Sequence, residues 1–157
     1  ALPIWSVLAD ILGLPGVHRQ AADSRRKAAE LLGVVRLEDR KDTPASELPY
    51  GALKRLEIAR ALALAPTVIM LDEPVAGCNA TESGEVAEVI RNVAQTGVAV
   101  VLVEHDMSLV MRIADRIHVL DRGRTLAVGR PEEIRANPAV VEAYLGIAHK
   151  EVDDAVP

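Results

Sequence analysis

The hydrophobic pattern changes period near residue 66. Before it, apolar residues recur at helical spacing. Ile4 to Leu12 reads as a short amphipathic helix, closed by Gly13, Pro15 and Gly16. A second helix is expected from about Asp23 to Leu32, with Ala28, Leu31 and Leu32 on one face and the solvated run Arg25-Arg26-Lys27 on another. The stretch "RLEDRKDTPASEL" is polar and irregular. A third helix begins near Pro49, a residue suited to a first turn because its missing N–H has no intrahelical partner there, and continues to Ala65.

After Pro66, "TVIML" and "VAVVLV" are continuous apolar runs rich in β-branched residues, the pattern of strands covered on both faces. Between them Val86, Val89, Ile90 and Val93 repeat at helical spacing, and Gly97 ends that helix. Strand, helix, strand at this spacing predicts a βαβ unit with parallel strands and a right-handed crossover. A short helix from Met107 to Ala114 follows, with Asp106 as its N-cap. "RIHVL" and "RTLAVG" flank "DRG" as a hairpin. "RPEEIRA" opens another helix, with Pro131 in its first turn and Glu132 and Glu133 near its positive end. Asn137-Pro138 breaks it, "AVVEAYL" adds a turn or two, and the tail from Lys150 is acidic and expected to be disordered.

Composition narrows the classes. The 157 residues make one domain's worth of chain; with 2% aromatic residues and no Phe, its core must be built from Leu, Val, Ile and Ala. A net charge of -5 argues against nucleic acid as the main partner, because phosphate binding needs a basic face. Cys78 is the single cysteine, so no internal disulfide forms and a reducing compartment fits; on its own it reads as a small buried residue. The apolar opening "ALPIWSVLADILGLPGV" has no basic leader and is too short and broken to span a bilayer. A soluble, cytoplasmic chain is expected.

The chemistry gathers at two strand ends. In open parallel sheets ligands sit beyond the carboxyl ends of the strands. "TVIML" ends in Asp72-Glu73 and "VAVVLV" in Glu104-His105, so neighbouring strands would place these groups on one rim. Pro74 is expected to hold Glu73 in extended geometry and so aim the two carboxylates apart. One could then serve Mg²⁺, which takes one or two carboxylates besides phosphates and waters, and the other could orient or deprotonate an attacking water. His105 could donate to a phosphate oxygen. Glu104 reads as a bystander. Two-component receiver domains also end a strand with an aspartate before a proline turn. They need acidic residues from an earlier strand and a later lysine, neither of which this chain supplies.

Taken in order, "ELPYGALKRLEIARALALAP", "VIMLDEP", "AGCN", "VLVEHDM" and "ADRIHVLDRGRTLAVGRPEEI" resemble the signature helix, Walker B strand, D-loop, switch-histidine segment and closing hairpin of ABC transporter ATP-binding subunits. The resemblance runs from about Glu47 to Tyr144 and is strongest to the branched-chain amino-acid importer class. It implies a partial P-loop NTPase (RecA-like) α/β fold with a parallel sheet, preceded by part of the ABC helical subdomain. Residues 1–65 would be that subdomain, 66–130 the back of the ATPase core, and 131–157 C-terminal helices and tail.

The roles it implies are specific. Asp72 would orient the Mg²⁺ shell, Glu73 would act as general base, and His105 would contact the γ-phosphate of ATP. Asn79 would lie at the dimer seam. The signature residues Pro49, Tyr50, Gly51 and Ala52 would face ATP held by a second nucleotide-binding subunit, through the free N–H groups of a helix N-terminus. Transmembrane permease subunits would be the other partners, with the chain peripheral on the inner face of the membrane. Two departures stand out. Where the family commonly reads L-S-G-G-Q this chain has Leu48-Pro49-Tyr50-Gly51-Ala52, so a proline replaces a hydroxyl and an alanine an amide. Nowhere does G-x-x-x-x-G-K-[ST] occur. The expectation is therefore the back portion of an ABC ATPase, inactive in isolation and, with open strand edges, either self-associating or marginally stable. The competing reading is a truncated, non-catalytic interaction module of the same fold; a DNA-repair or chromosome-associated ABC ATPase finds neither coiled coil nor basic face to support it.

Overall fold

The computed structural model describes residues 15–143. The helix expected at 4–12 and the acidic tail lie outside them. The chain divides after Val103 into two compact units.

In the first unit, helix α1 spans Pro15–Val34. Pro15 and Gly16, expected to close a preceding helix, instead belong to its first turn, where a proline lacks nothing the helix needs. Its apolar face is also shorter than expected. Ala28 is exposed, and burial begins with the half-buried Leu31 and Leu32 and is complete at Val35 and Leu37. Two short 3₁₀ turns, Glu38–Arg40 and Ala45–Glu47, occupy the irregular stretch.

Helix α2 is Tyr50–Leu62, with Pro49 one position earlier than expected, at the N-cap. It stops three residues short of the expected Ala65. A residue before proline is barred from the right-handed helical region, and Ala65, preceding Pro66, takes φ 50° with its N–H on the Leu62 carbonyl. Strand β1 (Val68–Asp72) and strand β2 (Ala99–Val103) pair in parallel, in register from Val68 opposite Ala99 to Asp72 opposite Val103. Helix α3 (Ala80–Gln95) connects them and buries Val86, Ala87, Val89, Ile90 and Val93, as the spacing predicts. Gly97, at φ 92°, turns the chain into β2.

One expectation fails here. The strands are not covered on both faces: Ile69 is buried, but Val68, Met70, Val101 and Val103 are exposed, Met70 to 76%. These residues alternate with their inward neighbours, so they share one side of the two-stranded sheet. Among the described residues of this unit, nothing covers these side chains.

The second unit holds helix α4 (Met107–Ile113), the antiparallel hairpin β3 (Ile117–Asp121) and β4 (Arg124–Gly129), and helix α5 (Pro131–Arg135). Residues 138–143 are helical again. Arg122 and Gly123 both have positive φ, the two-residue turn whose twist matches a hairpin. Ile117, Val119, Ile134 and Val140 form the core, flanked by Met107, Val110 and Met111. Asp106 caps α4 through the Leu109 N–H at 3.1 Å, and Glu133 accepts the Arg130 N–H at the start of α5. Among the described residues no helix is long and apolar enough to cross a membrane.

Candidate functional site

β1 delivers Asp72 and Glu73 to the carboxyl end of a parallel pair, where both residues are exposed. Glu73 is not extended, as the following proline led one to expect. Its φ is +45°, in the left-handed region that costs a residue with a Cβ about 1–2 kcal/mol. Three contacts impose that geometry. The Glu73 N–H continues the sheet ladder to the Val103 carbonyl at 2.9 Å; the Glu73 carbonyl accepts the Ala76 N–H at 3.0 Å; Pro74 and Val75 are buried just beyond. The chain leaves the strand directly into the turn that runs from Glu73 to Ala76, and local sterics yield to that demand. Strain of this kind persists where the surroundings over-determine it, and it clusters at functional sites.

The loop after Glu73 runs through Gly77, at φ 79°, to Asn79. The Asn79 side chain accepts the N–H groups of Thr81 and Glu82, each at 3.0 Å, and the Glu82 carboxylate accepts the Asn79 N–H at 3.0 Å, a reciprocal cap on α3. The second Glu82 oxygen reaches across to the first turn of α2 and accepts the Gly51 N–H at 3.1 Å. Gly51 and Ala52 are buried, Tyr50 is exposed with its ring against Gly77, and Lys54 Nζ lies 5.5 Å from the centre of that ring. Of the expected site residues, then, Tyr50, Gly51 and Asn79 are brought together, with Glu82 as the link. Pro49 contributes its carbonyl, which accepts the Leu53 N–H at 3.0 Å.

Two backbone amides, Asn79's first and Gly51's second, hold the Glu82 carboxyl below the usual glutamate range. Cys78 beside it is half-buried rather than buried, and burial, followed by the Glu82 charge, pushes its thiol up against the opposing pull of Lys54. Arg55, one turn into α2, donates to the Arg36 carbonyl at 3.1 Å and pairs with Glu85 at 3.2 Å, while Arg36 pairs with Glu88. Arg55 thus joins α2 both to the segment that follows α1 and to α3, and Arg36 joins that segment to α3.

His105 belongs to the second unit, with its side chain 76% exposed. Glu104 has local partners of its own. Its side chain is 0% exposed, and one carboxylate oxygen accepts the N–H groups of His105 at 3.1 Å and Asp106 at 3.4 Å, with His105 Nδ1 3.7 Å away. A carboxylate directly before the histidine gave no clue to this burial. Glu82 was more legible: an asparagine three residues before a glutamate at a helix start is a capping-box pattern.

No group of three His, Cys, Asp or Glu that could hold a metal alone exists among the described residues. Asp72 is an exposed carboxylate of the kind Mg²⁺ uses singly when phosphates and waters complete its shell.

Comparison with known proteins follows the same lines. The ABC transporter family model matches residues 6–76, and that of the branched-chain amino acid ATP-binding cassette transporter matches 124–150. The high-affinity branched-chain amino acid transport ATP-binding protein LivG of Salmonella typhimurium is 45% identical over 141 residues, 88% of this chain and 54% of that protein. BraF of Pseudomonas aeruginosa, a protein of the same description, is 42% identical over 142 residues, covering 90% and 56%. The lipopolysaccharide export system ATP-binding protein LptB of Acidithiobacillus ferridurans is 35% identical over 137 residues, covering 87% and 55%. The crystal structure of the ADP conformation of MJ1267, an ATP-binding cassette of an ABC transporter, superposes with a TM-score of 0.71 at 30% identity, over 79% of this chain and 50% of that one. The chain spans about half the length of the curated relatives it matches.

Proposed function

The chain belongs to the ABC transporter ATP-binding family, and from that premise we propose that it serves as the rear half of a subunit that hydrolyses ATP to drive branched-chain amino-acid import. Two relatives named for that transport, and the family model over residues 124–150, support the solute class. The exposed apolar side of β1 and β2 supports a larger cassette, because Val68, Met70, Val101 and Val103 call for a cover.

Glu73 carries the reading. A glutamate held in the left-handed region at the carboxyl end of a parallel strand presents an exposed carboxylate on a rigid anchor. There Glu73 accepts a proton from water as the water oxygen bonds to the γ-phosphorus and the bond to ADP breaks. Asp72, one residue earlier, is the carboxylate that would hold Mg²⁺, whose charge when bound offsets that of the phosphate oxygens. His105 donates to the γ-phosphate, with Glu104 bonded to the two backbone amides that start its loop. Pro49 to Ala52 and Asn79 face a second subunit across the nucleotide, and permease subunits hold the pair at the inner face of the membrane.

The test is Glu73→Gln in the subunit that carries this chain together with its phosphate-binding half. Turnover should fall about 100-fold or more, the scale of a general base, with ATP still bound. Equal turnover in the two proteins would sink the proposal. Turnover in neither would favour a non-catalytic module.

A further inference from the structure

Glu82 is bonded to two segments far apart in the chain. One oxygen accepts the Asn79 N–H at 3.0 Å, and the other accepts the Gly51 N–H at 3.1 Å, 31 residues earlier. The approach is close. A Cβ at Gly51 would lie 2.8 Å from both Cβ and Cγ of Glu82, and a Cβ at Gly77 would lie 3.2 Å from the Tyr50 ring. Two independent contacts, one polar and one aromatic, therefore join the start of α2 to the 76–79 loop.

We propose that Glu82 is a positioning residue that fastens the first turn of α2 to the 76–79 loop, so that both segments meet the partner subunit as one rigid edge. The inference rests on the ATPase reading for its consequence, but not for its geometry. A carboxylate suits the task because it offers two acceptor oxygens and no donor, one for each amide. Charged acceptors also bond backbone N–H groups more strongly than neutral ones. The Gly51 amide is thereby committed within the subunit. Glu82 thereby sets the orientation of this helix start.

The fastening separates from helix capping. In Glu82→Ala the Asn79 side chain still caps α3 through the Thr81 and residue-82 amides, so the fold should survive. Amide exchange at Gly51 should speed up at least about tenfold, with Ala63, bonded to the Ala59 carbonyl at the far end of α2, unchanged. In the full subunit kcat should fall about 10- to 100-fold, the scale of a misplaced group, with KM for ATP within about twofold, because nucleotide is held by the other half of the cassette. Glu82→Gln, with one acceptor oxygen for two amides, should lie between. Unchanged exchange at Gly51, or unchanged kcat, overturns the proposal. A parent subunit with no turnover overturns the ATPase reading instead, and leaves Gly51 exchange to judge the fastening.

Discussion

The close approach of α2 to α3 predicts opposite outcomes for one substitution at two glycines. Both Gly51 and Gly84 lie in helices, where alanine is ordinarily favoured by about 0.5–1 kcal/mol. At Gly84 an added Cβ meets nothing within 4 Å, so Gly84→Ala should stabilise by about that amount. At Gly51 the same atom would sit 2.8 Å from Glu82 Cβ, 0.6 Å inside the 3.4 Å at which ordinary contact begins. Glu82 Cβ is fixed to the α3 backbone and cannot swing away, so the two helices must part. Overpacking of this kind costs about 1–3 kcal/mol. Gly51 sits in the first turn, where the propensity gain is smaller than in a helix interior. The net effect of Gly51→Ala should be a loss of about 1–2 kcal/mol. Urea unfolding measures it as a lower midpoint with unchanged slope, against a raised midpoint for Gly84→Ala. If Gly51→Ala stabilises as much as Gly84→Ala, the tight α2–α3 contact does not exist in solution, and the fastening by Glu82 goes with it.

Two further outcomes follow from the same region and from the open sheet. The raised pKa of Cys78, due first to burial and then to the Glu82 charge, leaves less thiolate at any given pH, so alkylation at pH 7 should be slower than for a free cysteine and reach its plateau at higher pH; Glu82→Gln, which removes the smaller cause, should speed the reaction somewhat, and no change would refute the contribution of the Glu82 charge. The isolated chain should self-associate through the exposed side of β1 and β2, and Met70→Lys should shift light scattering towards the monomer; a parent chain that is already monodisperse and monomeric would contradict this.

Much of the first unit was readable because local rules and tertiary packing agree there. Val86, Val89, Ile90 and Val93 mark the α3 face unambiguously, and the two β-branched runs pair in parallel as a βαβ reading requires. Where the two levels compete, the sequence misleads. The pre-proline preference pointed Glu73 to extended geometry, but a ladder bond to Val103 and the buried Pro74 and Val75 outweigh it. Gly16 and Pro15 look like a stop, yet proline is at home in a first turn. The Gly51–Glu82 bond spans 31 residues, and no local pattern announces it.

The open sheet face shows a different kind of disagreement, in which the difference between sequence pattern and observed burial is itself informative. Continuous apolar runs belong to strands buried on both sides. Val68, Met70, Val101 and Val103 meet the pattern but not the burial. A strand facing water would carry polar residues at these alternate positions, as half-exposed strands do. Covering four such side chains is worth about 1–2 kcal/mol each for the area still open, or about 5 kcal/mol together. That equals the lower end of a domain's whole net stability, about 5–15 kcal/mol. Whatever covers this face therefore contributes on the scale of the fold itself. Asp72 and Glu73 stand at the end of the same strands, so a cover that rigidifies the sheet also rigidifies the rim that carries these two carboxylates. Under the proposed ATPase reading, stability and catalysis would be coupled through β1, and a cassette that loses the cover should lose turnover before it loses its helices.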